Sequence, residues 1–349
     1  MATKSNLKRI FVTGGHYTPA KAVMDKLGGE PASPAKRGEY EIFYVGRRYA
    51  MEDSKALALE YQELRNLSNL RYLSITTGRL QRKFFVNVGQ SIKALLKIPV
   101  GFLQACWWVI WFRPNLVLSF GGYVAVPVVL AAWLWDIPVL THEQTQTIGL
   151  ANRIIRLLGA KVLDVGNPLR PEILTAKPSA TNTIFITGGN QGAVVINQAV
   201  EKIIDKLTKK YFVIHQTGDY EIKKIKNYLP QKFFNGSEMA NNLAKAKIVI
   251  SRAGANIVSE IAYLGKPAVL IPIPWSGGNE QFKNAQKLAG TGLVEILEQK
   301  NLTGERLLEI VNKIDRSYKS YVIHAADAGK LVDTDAAKKI AGEVEKLLR

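Results

Sequence analysis

Hydrophobic and polar positions alternate in blocks along the chain, with short apolar runs separated by longer segments of helical periodicity. The short runs predict strands near residues 9–13, 41–45, 72–76, 116–120, 138–142, 183–187, 211–216, 247–251, 268–272 and 292–296. The longer segments predict helices near residues 18–27, 52–65, 88–112, 124–134, 147–158, 192–208, 239–245, 256–264, 280–289 and 303–315. Such regular alternation indicates an α/β protein with parallel sheets and helices on both faces.

The pattern contains a long-range repeat. The segment from 248 to about 288 has the same succession of strand, small-residue turn, helix, strand, polar loop and helix as the segment from 116 to about 155. Since 349 residues also exceed what one hydrophobic core usually serves, we expect two Rossmann-like domains with a cleft between them. The predicted domains are residues 1–167 and 168–330, followed by a C-terminal helix in 331–349 that packs back on the first domain.

Three of the predicted strands run directly into a Gly-Gly pair that precedes a helix. These pairs are Gly14-Gly15, Gly121-Gly122 and Gly188-Gly189. Backbone N–H groups in such a turn, together with the helix N-terminus, form a seat for phosphate or another anion. Three seats in one chain predict a phosphate-rich pair of substrates.

Composition restricts the partners further. The formal net charge is +18, and the single cysteine, Cys106, excludes a disulfide framework and a cysteine-based metal site. The N-terminus enters a strand at once, so we expect no signal peptide. No recognisable nucleic-acid motif accompanies the charge, and we therefore expect no nucleic-acid partner.

The basic residues have an uneven distribution. No acidic residue occurs from Leu64 to Trp135, a stretch that contains the basic residues Arg65, Arg71, Arg79, Arg82, Lys83, Lys93, Lys97 and Arg113. Its aromatic residues include Phe85, Phe102, Trp107, Trp108, Trp111 and Phe112. The apolar run from Ile98 to Phe112 is too short to span a bilayer, so we expect an interfacial helix on an anionic membrane. The alternative is a helix buried against the strand near 116–120, and one helix can serve both purposes.

A set of short motifs resembles the MurG family in order and spacing. They are Thr13-Gly-Gly-His16, Ser119-Phe-Gly-Gly-Tyr123, His142-Glu143-Gln144, Gly166-Asn-Pro-Leu-Arg170, Gly188-Gly-Asn-Gln-Gly192, His215-Gln-Thr-Gly218, Arg252-Ala-Gly-Ala-Asn-Ile-Val-Ser-Glu260 and Glu280-Gln-Phe-Lys-Asn284. The resemblance covers nearly the whole chain. It implies a GT-B fold and an inverting hexosyltransferase that moves N-acetylglucosamine (GlcNAc) from UDP-GlcNAc to undecaprenyl-pyrophosphoryl-MurNAc-pentapeptide, without a cofactor, at the cytoplasmic face of the cell membrane as a peripheral protein.

The resemblance also implies a donor site. Amides of the loop at 188–192 would meet the diphosphate, Glu260 would bind the ribose hydroxyls, and Gln281 would hold the sugar. Backbone around Gly236 to Met239 would read the uracil edge. The full set of expected donor contacts is Thr13, Gly14, Gly15, Thr145, Arg170, Asn190, Gln191, Gly192, Gly236, Met239, Arg252, Gly254, Ala255, Glu260 and Gln281. For Glu260, an exposed helix position paired with a lysine is the alternative.

The first half would hold the lipid acceptor. The expected contacts are Gly14, Gly15, His16, Gly121, Gly122, Tyr123 and Asn152. His16 is the candidate general base on the acceptor hydroxyl, and His142 and Glu143 are a second acid/base pair. We interpret His215 as structural.

Some residues depart from the family pattern. Phe11-Val12 occupies the place of two further glycines in the first loop, and Thr145 and Asn190 replace an asparagine and a serine. Asp333-Thr-Asp335 looks like a metal-binding Asp-x-Asp pair, but it opens a helical segment, so we interpret it as a helix cap and expect no metal.

Three alternatives to this function remain. A transferase of the same build could glycosylate diacylglycerol or another polyprenyl phosphate, and a UDP-GlcNAc epimerase would ignore lipid. A catalytically weak membrane-bound binding protein is the third.

Overall fold

The computed structural model describes residues 7–28, 40–49, 57–67, 70–78, 88–144, 150–179, 181–189, 191–223 and 225–349, with the side chains of 88–94 and 150 excepted. Contacts divide the chain into two compact units. The first contains the described residues from 7 to 144 and from 150 to 168, together with the C-terminal Asp335–Arg349. The second contains Leu169–Thr334.

The first unit is a parallel six-stranded sheet in the order β3-β2-β1-β4-β5-β6. Its strands are β1 Lys8–Thr13, β2 Tyr40–Gly46, β3 Leu70–Ser74, β4 Leu116–Ser119, β5 Val139–His142 and β6 Lys161–Leu163. Its helices are α1 Tyr17–Lys26, α2 Leu59–Leu64, α3 Val88–Phe112, α4 Ala125–Leu134, α5 Leu150–Leu157 and the C-terminal α15 Ala336–Leu348. One face of the sheet packs on α1 and α15, and the other packs on α3, α4 and α5.

The second unit repeats this topology. Its sheet has the order β12-β11-β10-β7-β8-β9, with strands β7 Thr183–Thr187, β8 Phe212–Gln216, β9 Tyr228–Gln231, β10 Ile248–Ser251, β11 Ala268–Leu270 and β12 Val294–Ile296. Its helices are α6 Pro171–Thr175, α7 Val194–Glu201, α8 Ile204–Thr208, α9 Gly236–Lys245, α10 Ala255–Leu264, α11 Glu280–Ala289, α12 Gly304–Arg316, α13 Tyr318–Val322 and α14 Ala325–Gly329. The fourth and fifth strands of each unit belong to the sequence repeat, and the predicted α/β class is confirmed.

In both sheets the strand order reverses between the first and fourth strands. This switch point lies between β1 and β4 in the first unit and between β7 and β10 in the second. Loops that leave the carboxyl ends of these strands diverge and open a crevice, which is where α/β proteins bind ligands. The three Gly-Gly pairs follow three of these four strands, β1, β4 and β7.

Several sequence predictions differ from the structure. The sequence did not predict the edge strands β6 and β9, which are short, and β9 contains Pro230, a residue tolerated at edges. The helix predicted at 192–208 is divided into α7 and α8, because Ile203 leaves helical geometry with φ −123° and ψ 1°. Of the helix predicted at 52–65, residues 57–65 are described, and α2 comprises Leu59–Leu64 among them. Asp335 occupies the N-cap position of α15, but its side chain makes no capping hydrogen bond, so the predicted cap is wrong in that respect.

The prediction that the apolar run from Ile98 to Phe112 is too short to span a bilayer is also wrong on length. The apolar window covers 18 residues, Leu95–Phe112, with a mean hydropathy of 1.5, and 17% of it is buried. It is the one segment of the described residues that is long and apolar enough to cross a membrane, a test that core helices of globular domains also pass. Ala105 and Val109 pack into the core beneath α4, so one face of α3 is structural.

Candidate active site

The two glycine loops of the first unit lie against each other at the switch point. The Gly15 N–H donates to the Gly121 carbonyl at 2.9 Å. A Cβ on Gly14 would lie 2.9 Å from the Phe120 backbone, and one on Gly122 would lie 3.1 Å from the Gly15 nitrogen. Only glycine permits this approach, and one amide that the sequence assigns to anion binding is already used by the neighbouring loop.

The helices that follow these loops begin without side-chain caps. Neither α1, after His16, nor α4, after Val124, has a capping side-chain hydrogen bond. In α1 the Tyr17 and Thr18 N–H groups remain available to a ligand, since Pro19 has none, whereas in α4 the Ala125 N–H donates to the Gly122 carbonyl at 3.2 Å.

His16 lies at the start of α1 among charged neighbours. Burial lowers its pKa to about 4, the Glu143 carboxylate works in the opposite direction, and His142 and Arg47 lower it further. The imidazole is therefore neutral at pH 7, and the carboxylate beside it stabilises the imidazolium that forms when it accepts a proton.

A hydrogen-bonded network fixes Glu143 and His142. The Asn152 amide donates to Glu143 Oε2 at 2.9 Å, and the Thr141 hydroxyl donates to Asn152 Oδ1 at 3.2 Å. His142 Nε2 lies 3.1 and 3.2 Å from the carbonyls of Val165 and Gly166, so this nitrogen carries the proton. Burial lowers the pKa of His142. With Nε2 bound to backbone carbonyls, His142 has Nδ1 left as an acceptor, and Glu143 is held near His16.

Tyr123 follows the second glycine loop and contacts a cation that the sequence did not single out. Arg47 Nη1 donates to the Tyr123 hydroxyl at 3.3 Å, and the guanidinium carbon lies 5.8 Å from the ring centroid. Thr13, the last residue of β1, is buried and donates its hydroxyl to the Val45 carbonyl at 3.0 Å, so this side chain has a structural bond.

The loop after β7 forms the corresponding seat in the second unit. Gly189 and Gly192 have positive φ angles of 85° and 72°. The loop packs on the end of β8, because Cβ atoms on Gly192 and Gly218 would lie 2.3 Å from Thr217 O and 2.2 Å from Gln191 O. The Gln216 amide donates to the Gly189 carbonyl at 3.1 Å. The next helix, α7, has no side-chain cap.

Buried polar contacts support this loop from below. The Asn197 amide donates to the Thr217 carbonyl at 2.8 Å, and its Oδ1 lies 3.0 Å from His215 Nε2. His215 Nδ1 lies 2.9 Å from the Tyr228 hydroxyl, and burial lowers the His215 pKa to about 3. His215 is therefore a neutral side chain within a closed hydrogen-bond chain, in a structural position.

The loop after β10 brings Arg252, Gly254, Ala255 and Gln281 together. Arg252 is buried and donates to the Ile271 carbonyl at 3.1 Å. Gln281 Oε1 accepts from the amides of Ala253 at 3.3 Å and Ile273 at 3.0 Å, which leaves Nε2 as the group that it offers to a sugar. Gly254 is the N-cap of α10 without a side-chain cap, so the amides at Ala255 and beyond face the loop.

Glu260 lies in α10 and forms a buried ion pair. Its side chain is 2% exposed, and Oε1 accepts from Arg170 Nε at 2.7 Å. Burial raises the pKa of Glu260, the arginine works in the opposite direction, and Glu172 adds to the increase. The lysine-paired, exposed alternative is wrong. The expected phosphate ligand Arg170 is bound to the expected ribose ligand, which keeps one carboxylate oxygen for a sugar hydroxyl.

The start of α9 is capped, unlike the other site helices. Asn235 Oδ1 accepts from the Glu238 amide at 3.0 Å, and Glu238 Oε2 accepts from the Asn235 amide at 2.9 Å. The Met239 amide donates to the Asn235 carbonyl at 2.8 Å. The N–H groups of Glu238 and Met239 are thus used, and Gly236 is the first residue of this capped turn. Glu172 approaches it closely, since a Cβ on Gly236 would lie 2.8 Å from Glu172 Oε1.

Some residues predicted from the sequence lie outside the described part of the chain, and some site residues were not predicted. Thr145 and Asn190 lie outside the described residues, as do Arg79, Arg82, Lys83 and Phe85 of the basic segment. The sequence did not single out Arg47, Gln216 or Asn197 as site residues. Gln216 lies within a quoted motif, whereas the other two have no motif that could have found them. Within the described ranges, no three His, Cys, Asp or Glu side chains form a metal-binding group.

The outer face of α3 is a second candidate surface. Leu96, Leu103, Trp107 and Trp111 recur at helical spacing, and they are 68%, 66%, 61% and 67% exposed. The exposed residues Trp133–Trp135 lie at the end of α4, the helix that packs on α3. Trp108, in contrast, is half-buried against the core. Exposed apolar groups of this size in one region indicate an interaction surface.

Comparisons with known proteins agree over almost the whole chain. The N-terminal domain of glycosyltransferase family 28 matches residues 13–163, and the C-terminal domain of that family matches 183–340. A relative from Lachnoclostridium phytofermentans is 31% identical over 98% of this chain and 99% of its own. A second relative, from Clostridium kluyveri, is 30% identical over 97% of this chain and 99% of its own. Both are named UDP-N-acetylglucosamine–N-acetylmuramyl-(pentapeptide) pyrophosphoryl-undecaprenol N-acetylglucosamine transferase.

Solved structures share the fold. MurG of Acinetobacter baumannii superimposes with a TM-score of 0.71 at 24% identity, over 97% of this chain and 99% of that one. A UDP-GlcNAc 2-epimerase from Neisseria meningitidis, bound to UDP-GlcNAc, gives a TM-score of 0.59 at 13% identity, over 97% and 100%. The predicted GT-B architecture is confirmed.

Proposed function

The chain belongs to the MurG family of glycosyltransferases, with both domains of glycosyltransferase family 28, and on that premise we propose that it converts lipid I to lipid II in peptidoglycan synthesis. The reaction transfers GlcNAc from UDP-GlcNAc to undecaprenyl-pyrophosphoryl-MurNAc-pentapeptide. The observation that carries the proposal is full-length similarity to transferases of this name, in a chain with glycine loops at the switch points of both sheets.

The donor binds the second unit in this proposal. The Gln191 amide and the uncapped first turn of α7 meet the diphosphate, since the Gly189 and Gly192 amides donate within the loop. The carboxylate oxygen of Glu260 that Arg170 does not bind accepts from the ribose. Gln281, fixed through its oxygen, donates to the sugar. Backbone at Gly236 meets the uracil.

The acceptor binds the first unit, where the proton is removed. The acceptor hydroxyl oxygen forms a bond to the anomeric carbon while the bond from that carbon to the β-phosphate oxygen breaks, and UDP leaves with the electron pair. His16 accepts the hydroxyl proton, which is supported by its neutral state at pH 7 and by the carboxylate of Glu143 beside it. Asn152 keeps Glu143 in place, and inversion at the anomeric carbon follows from the single displacement.

The protein also binds a membrane in this proposal, as a peripheral protein on the cytoplasmic face. The exposed Trp107 and Trp111 on α3 suit the headgroup region, and the helix contributes Lys97. An undecaprenyl acceptor does not leave the bilayer, so an enzyme that uses it must work at the surface. Anionic lipid fits the net charge of +18.

One assay distinguishes this function from its alternatives. Purified protein receives labelled UDP-GlcNAc with lipid I, with diacylglycerol, or with no acceptor, and release of UDP and labelling of lipid are followed. We expect UDP release and lipid labelling with lipid I. Labelling of diacylglycerol instead would indicate a different transferase, and altered UDP-GlcNAc without acceptor would indicate an epimerase. No turnover in any arm would leave a binding protein.

A further inference from the structure

Arg47 lies at the switch point of the first unit and belongs to none of the motifs that carry the family resemblance. It follows Gly46, the last residue of β2, and its carbonyl accepts from the Tyr72 hydroxyl at 2.5 Å. A Cβ on Gly46 would lie 2.6 Å from the Tyr44 ring, so the turn into Arg47 requires glycine. The backbone of Arg47 is thereby fixed at the carboxyl edge of the sheet.

The Arg47 side chain crosses the end of β1. In the sheet, β2 and β4 are the two neighbours of β1, and Arg47 follows β2 whereas Tyr123 follows β4. Because adjacent strands lie about 4.8 Å apart, the hydrogen bond between these side chains bridges about 10 Å over the Gly14-Gly15 loop. The effect of Arg47 on the pKa of His16 agrees with this position.

The Arg47 guanidinium is held by its neighbours but remains partly exposed to solvent. Nη2 lies 3.7 Å from Glu60 Oε1, a buried carboxyl, and the arginine side chain keeps 28% of its surface exposed. Packing against the Tyr123 ring and the bond to Tyr123 set the orientation before any ligand arrives. A planar guanidinium oriented in this way can donate two parallel hydrogen bonds to two oxygens of a phosphate group.

The glycine loops have less to offer a diphosphate than their sequence suggests. The Gly15 amide is used by Gly121, and Phe11-Val12 stands where the family resemblance implies two more glycines. We propose that Arg47, oriented by Tyr123, binds the diphosphate of the lipid acceptor and is a determinant of selectivity for a diphosphate over a monophosphate. This rests on the proposed function, since the acceptor named there carries the diphosphate.

The test compares two acceptors, lipid I and an analogue with a single phosphate, by their kcat/KM. For Arg47→Met we expect a loss of about 10- to 100-fold with lipid I and less than about threefold with the monophosphate, because one charge-assisted contact is lost only in the first case. Arg47→Lys keeps the positive charge but not the planar guanidinium, which can form two parallel hydrogen bonds. Its loss of kcat/KM with lipid I should therefore be intermediate. Tyr123→Phe should lower selectivity in the same direction.

The matched control is Arg48→Met, an exposed arginine that packs on the rings of Tyr49 and Tyr61. It should leave the selectivity ratio unchanged. Near-UV circular dichroism and the thermal unfolding midpoint report that each variant is folded. Equal losses on both acceptors, or none, would overturn the role of Arg47, and so would an equal effect of Arg48→Met.

A failure of the proposed function gives a different result. If wild-type protein transfers GlcNAc to neither acceptor, the assignment of lipid I fails. The role of Arg47 is then judged by calorimetry with inorganic pyrophosphate and saturating UDP. Binding to wild type that Arg47→Met abolishes supports the inference, and equal binding to both rejects it.

Discussion

Replacing Glu260 by glutamine tests the donor site at its most buried charge. The substitution keeps the side-chain volume and an acceptor for Arg170 Nε, which lies 2.7 Å from Oε1 in the wild type. It removes the negative charge that a ribose hydroxyl would meet at the other oxygen. A hydrogen bond to a charged group contributes about 1.5–3 kcal/mol and a neutral one about 0.5–1.5 kcal/mol. We therefore expect UDP to bind about 5- to 13-fold more weakly, from a difference of about 1–1.5 kcal/mol.

Glutamine is a cleaner choice than alanine. Glu260→Ala would leave the Arg170 guanidinium, whose side chain is 19% exposed, without its partner. Breaking a buried ion pair in this way costs about 3–5 kcal/mol of folding stability, which would obscure an effect on binding. The matched control is Glu309→Gln, since Glu309 also has an arginine partner, Arg306, but on an exposed helix surface.

The pH dependence of UDP binding provides a second test of Glu260 as the ribose ligand. Burial raises the pKa of Glu260 above its ordinary 4.5, so at low pH the folded protein holds a neutral carboxylic acid there. Ribose hydroxyls bind the ionised form better, and UDP affinity should therefore rise with pH through the raised pKa. Calorimetry with UDP from pH 4.5 upward measures this rise, and Glu260→Gln should remove it. An unchanged Kd and an unchanged pH profile in this variant would refute the ribose assignment.

Three further predictions concern stability and the membrane. Lys266→Met should destabilise the second unit by about 2–4 kcal/mol in urea unfolding, because the ammonium donates to three backbone carbonyls at 2.5–3.1 Å that would lose their partner. His215, with its pKa lowered from 6.5 to about 3, stabilises the fold above pH 6.5 and loses that contribution as the pH falls through this window. His215→Asn should therefore flatten the slope of unfolding free energy against pH by about 1.4 kcal/mol per unit between these values. Replacing Trp107 and Trp111 by serine should release the protein from anionic vesicles in flotation assays, whereas Trp275→Ser, an equally exposed tryptophan of the other unit, should not; retained binding would place the membrane surface elsewhere.

The sequence predicted the sheets well because the central strands are buried on both sides. β1, β4, β7 and β10 read as unbroken apolar runs followed by small-residue turns, and that pattern has few other solutions in an α/β chain. The edge strands do not have this constraint. β9 contains Pro230 and half-buried residues, so its sequence resembles that of a loop.

The site was predictable where a motif follows a strand and not where two distant segments meet. Glycines at 14 and 121 are recognisable separately, but the bond from Gly15 to Gly121 joins residues 106 positions apart. The ion pair of Arg170 with Glu260 spans 90 positions. Neither partner carries a local signal of the other, because such pairing is fixed by the register of the sheet.

In the proposed function, the two units use one topology for two chemical tasks. Each places glycine loops at the switch point, but the second adds neutral amides and an arginine-bound carboxylate, Glu260, whereas the first adds His16, Glu143 and Arg47. A leaving UDP needs its developing charge stabilised by dipoles that need not move, which amides and helix termini provide. An acceptor hydroxyl must lose a proton, and for that a titratable group beside a fixed carboxylate is required. In the proposed function, this difference assigns the nucleotide donor to the second unit and the acceptor to the first.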